Sequence, residues 1–198
     1  MQANQPRAVA LGDLGRLTMR ANVVFAVRCA QRMRPCFIIP ADAPRRREQI
    51  AAVDAAISVA AAFCQHVPAE PGRAAAAART AEVVAEETSE ITGFAGYAAV
   101  RAAEAAACAE DVLRDPGGSS VTEVVAAAFG AGRVLAANTD AFTLDLVVEA
   151  LYADMEKLRS MAHGTCENLG PPVDPSESGP LGPLWPAAMP AWFTPETA

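Results

Sequence analysis

Large side chains and most of the residue types that carry catalysis are scarce in this 198-residue sequence. Aromatics make up 6% of it, and it has two histidines (His66 and His163) and a single lysine (Lys157). Neither histidine lies in a HExxH pattern, no serine sits in a GxSxG elbow, and Lys157 follows Glu156 rather than a glycine-rich loop. Zinc-peptidase, α/β-hydrolase and P-loop chemistry therefore have no motif here. The Glu-x-x-His pairs of a di-iron helical bundle are missing too. No run reaches the roughly 18 uncharged apolar residues that a membrane span needs. In the first 20 residues, Asp13 and Arg16 interrupt any apolar core of a signal peptide. Strict polar–apolar alternation, the mark of a half-buried strand, is not found. The five cysteines (Cys29, Cys36, Cys64, Cys108, Cys166) are an odd number at unrelated spacings, which reads as free thiols in a reduced, cytoplasmic compartment rather than a disulfide framework.

Alanine is abundant instead: 46 residues, close to a quarter of the chain. Apolar residues recur at three-four spacing in six stretches. Met19, Val23, Ala26, Ala30 and Met33 follow the cap-like Thr18, and Arg20, Arg28, Gln31 and Arg32 fall on the other faces, so this helix reads as amphipathic and basic. Asp42 and Pro44 open a second helix ending near Gln65. Two alanine-glutamate helices follow over about 73–89 and 91–113, then DPGGSS turns the chain into helices over about 120–137 and 140–162. The sequence predicts an all-α protein: an antiparallel, alanine-rich bundle of about six helices over residues 17–165. A lead-in without sustained period (residues 1–16) precedes it and an extended tail (residues 166–198) follows. Small residues on the fourth helix (Ala95, Ala98, Ala102, Ala105, Ala109) let helix axes approach closely.

The net charge of −7 argues against nucleic-acid and anionic-membrane partners, which need a basic face. It is unevenly spread: nine arginines and two acids up to Arg47, seven bases and 21 acids after it. The tail carries eight prolines from Leu169 onward and both tryptophans. Proline at that density favours extended chain. Trp185, Trp192 and Phe193 then either strap the tail across the bundle or offer a linear motif to a partner.

Polar candidates for binding are Arg45, Arg46 and Arg47, whose charge opposes the dipole of a helix start, and Glu82, Glu86 and Glu90, an acidic stripe at i, i+4 spacing suited to a basic partner. A weaker alternative pairs Cys64-x-His66 with His163-x-x-Cys166 as zinc ligands in a metal-dependent enzyme, although neither pair has finger spacing. No cofactor motif is present. The expected partner is another protein; self-association through the alanine seams is the alternative.

Residues 17–64 resemble the opening of the Imm-5-like immunity proteins of bacterial polymorphic toxin systems. The likeness rests on Phe25-Ala26-Val27-Arg28-Cys29-Ala30 with Pro35 and Phe37, and on Asp42-Ala43-Pro44-Arg45 at the start of the second helix. The resemblance implies an all-helical, non-enzymatic protein that neutralises a toxin by binding it.

Overall fold

A computed structural model of the chain describes residues 9–67, 69–88, 90–117, 120–137, 143–187 and 190; of Glu90 and Ile91 only the backbone is described. Among these residues every regular element is helical: α1 (Leu11–Leu14), α2 (Met19–Met33) with a 3-10 turn (Arg34–Cys36), α3 (Arg46–Cys64), α4 (Arg73–Glu87), α5 (Glu90–Arg114), α6 (Val121–Ala137) and α7 (Leu144–Met161). The six expected helices are α2 to α7. The single turn α1 is added in front of them, with Leu14 and the following Leu17 fully buried.

α2 is the hub of the bundle. It packs against α3, α5, α6 and α7. All of its residues except Gln31 are buried, Arg28 and Arg32 completely. This overturns the amphipathic reading of the helix. Its arginine face does not meet solvent, because residues 168–185 run along it in the direction of the helix.

The helix start shows how closely the two are joined. An α-helix leaves its first amides without intrahelical acceptors. Here Met19 N donates to Asn168 O (2.8 Å), Arg20 N to Leu169 O (2.9 Å) and Ala21 N to Thr18 Oγ1 (3.4 Å). The tail supplies two of those three acceptors. Gly170, at φ +81°, lies so close to Thr18 that a Cβ there would collide with the threonine hydroxyl.

α4, α5 and α6 form the alanine-rich layer. Ala95, Ala98, Ala102, Ala105 and Ala109 of α5 are all fully buried, α4 and α6 lie on either flank, and α3 packs on α4 and α5. At the α4–α5 crossing the helices meet at van der Waals limits. A Cβ on Gly96 would stand 2.9 Å from Ala85 Cβ. Close approach recovers the dispersion contacts that small side chains would otherwise forgo.

Candidate binding surface

The three arginines of α2 (Arg20, Arg28 and Arg32) are turned inward. Arg28 Nε donates to Asp154 Oδ2 on α7 (2.9 Å), and Arg32 Nη1 reaches the same oxygen at 2.8 Å. Other N–H groups of the two guanidinium groups donate to tail carbonyls. Arg28 Nη1 donates to Pro175 O (3.2 Å) and Gly182 O (3.0 Å), and Arg28 Nη2 to Pro183 O (2.8 Å). Arg32 donates to Leu184 O from Nε (2.8 Å) and Nη2 (2.7 Å).

Near the start of α2, Arg20 donates to Gly170 O and contacts His66 Nδ1 at 3.3 Å, with its guanidinium 5.7 Å from the Phe63 ring centroid. The chemistry explains the match. Prolines remove donors from the tail and leave carbonyls in need of partners, while arginine offers five donors and no acceptor.

Trp185 is buried, with the Arg32 guanidinium 5.5 Å from its ring centroid; Leu181 and Leu184 are buried beside the same stripe. Residues 168–185 thus pack along α2, and Trp185 is buried against Arg32. Trp192 and Phe193 lie outside the described residues.

Arg45, Arg46 and Arg47 are all exposed. Arg45 is not in the first helical turn: it caps α3 in left-handed geometry (φ 62°) and pairs with Glu48 (3.1 Å) and with Glu87 of α4 (3.4 Å). Arg46 Nε donates to Ile39 O at 3.0 Å. The acidic stripe is shorter than the sequence suggests. Thr88 is extended (φ −102°, ψ 167°), and Glu90 begins α5, so only Glu82 and Glu86 share a face of α4. The Glu90 side chain lies outside the described set.

The four zinc candidates are not drawn together. Cys64 is buried at the end of α3, where its carbonyl accepts from Val173 N, and burial pushes its thiol up. His66 is exposed and held by Arg20, His163 is exposed, and Cys166 N donates to Gly15 O. Among the described residues no group of three or more histidine, cysteine or acidic side chains is placed to hold a metal ion.

What the fold does bring together is acid. A cleft of about 430 Å³ lies between α4, α5 and α6, with Glu82, Glu104, Asp111 and Glu123 on its walls beside Arg79 and Arg101, and a floor of alanines. Arg101 is already engaged by Glu104 at 2.6 Å. Cys108 lies in the same cleft, and its thiol is pushed up to about 11, first by burial and then by Glu123, Glu104 and Asp111. The carboxylates thus act on one volume, although they come from helices far apart in sequence. Sequence reading found Glu82 alone. The others became legible only once α5 and α6 were laid beside α4.

The buried triad was missed as well, but it left a signal. Asp154 sits between Leu151 and Leu158 on the apolar stripe of α7, where a lone acid requires an internal cation. Comparison with protein-family models, with curated proteins and with solved structures finds no match for the chain.

Proposed function

We propose that this chain is a non-catalytic binding protein that acts by occluding a partner protein, as an immunity or adaptor protein of a bacterial conflict system working in the cytoplasm. The observation that carries this reading is the acidic cleft between α4, α5 and α6. The arginines of α2 face the tail and Asp154, so they do not offset the carboxylates outside. Residues 73–137 hold nine acids against five bases. A partner that presents arginine or lysine on a convex helix or loop fits that cleft, and opposite potentials speed the encounter. The resemblance of residues 17–64 to Imm-5-like proteins points to a toxin as that partner. Assembly through the alanine seam is less favoured, because the seam of α5 is already buried within the chain.

The test is to capture partners from the native host on the full chain, identify them by mass spectrometry, and repeat with a Glu82→Lys/Glu123→Lys variant. The reading expects a basic protein, such as a neighbouring-gene toxin, that the variant and high salt both release. Equal retention by the variant would refute the cleft as the docking face. Co-purification of a nucleotide or metal in place of a protein would refute the binding role itself.

A further inference from the structure

Four consecutive backbone carbonyls of the tail each accept from a cationic side chain. Lys157 Nζ donates to Leu181 O (2.5 Å), Arg28 to Gly182 O and Pro183 O, and Arg32 to Leu184 O. The seat is therefore matched to a chain shape rather than to a set of polar side chains. Two kinds of feature add selectivity. Leu181, Leu184 and Trp185 are buried in it, with exposures of 1%, 6% and 7%. Gly182 takes φ +72°, a geometry that favours glycine, with Lys157 Nζ 3.6 Å from where a Cβ would stand. Pro183 brings no amide that would need an acceptor, and the amide of Leu184 donates to Glu177 Oε1 at 3.0 Å. Just before this stretch, Glu177 and Ser178 are exposed in a turn without helix.

We propose that the cationic face formed by Arg28, Arg32 and Lys157 is a receptor for a proline-containing peptide of the pattern Leu-Gly-Pro-Leu-Trp, bent at its glycine and occupied in the free chain by its own residues 181–185. The strap is then an internal ligand. A partner displaying the same pattern competes for the seat, on a face separate from the acidic cleft.

The experiment starts from the full chain with a site-specific protease sequence inserted between Glu177 and Ser178, cut only after folding. The probe is a fluorescein-labelled peptide of residues 178–187, followed by anisotropy, with size exclusion reporting on the cut fragment and circular dichroism on the helices. The proposal expects the cut fragment to stay bound and the labelled peptide to replace it. Peptides carrying Gly182→Val or Trp185→Ala should compete at least about tenfold less well. The Glu82→Lys/Glu123→Lys protein should bind the peptide as the parent does. A cut fragment that cannot be displaced, a helical core that ignores the peptide, or a cut that unfolds the bundle would each overturn the proposal. In those cases the segment is core and not ligand.

Discussion

The α4–α5–α6 layer and the α2–tail half bury their chains by opposite means. In the first, contact comes from alanine against alanine at short range, with hardly a polar atom inside. In the second, a central helix carries two arginines at no solvent exposure, neutralised in part by one aspartate and completed by carbonyls contributed from some 150 residues away. A small-residue seam is sensitive to added volume. A buried charge network is sensitive to the loss of any one partner, because the charges left behind have no water to turn to. The difference also shapes the exterior: arginines held inside cannot offset the carboxylates outside.

The widest gap between the halves should appear with Asp154→Asn, which keeps the shape but leaves Arg28 and Arg32 buried with only carbonyls. A loss of about 3–5 kcal/mol is expected in urea unfolding. In the seam, Ala105→Leu adds volume where there is none and should cost about 1–3 kcal/mol. At the junction of helix and tail, Thr18→Ala removes the cap of α2 and should cost about 1 kcal/mol. Glu104→Gln, at the cleft rim, should change stability by no more than about 0.5 kcal/mol, and so separates surface acid from interior acid.

Thiol chemistry sharpens the same contrast. Burial pushes Cys29 up to about 12 from an ordinary 9.0, and Cys64 is raised as well. Above pH 9 the unfolded chain ionises these thiols while the folded chain keeps them protonated, so stability should fall as pH rises beyond that point. Below pH 9 both states hold the proton and the thiols contribute no pH dependence. At pH 8, thiol reagents should leave Cys29 and Cys64 unmodified until the protein unfolds globally, which mass spectrometry of labelled peptides can follow.

The helices were legible because three-four spacing and breakers such as Pro35, Pro71 and DPGGSS are local signals. The interior of α2 was not, since pattern reading sends charge to the surface and the acceptors that reverse that rule lie at the far end of the chain. The acid embedded in the apolar stripe of α7 was the clue that bridges the two. The proline-tryptophan tail announced that it was not idle, but composition alone left its target open between the chain itself and a partner. For the candidate site, Glu82 could be read from the helix face, whereas Glu104, Asp111 and Glu123 needed the third dimension. The Glu90 position depended on where α4 stops, and Thr88 stops it two residues too soon.

The most direct test of this account follows Trp185 alone, in a Trp192→Phe background. Acrylamide quenching of the native protein should be weak, and the indole should become accessible in the same urea transition that melts the helices. An indole quenched as freely as in the unfolded chain, beside an intact helical signal, would contradict the claim that α2 and the tail are one structure.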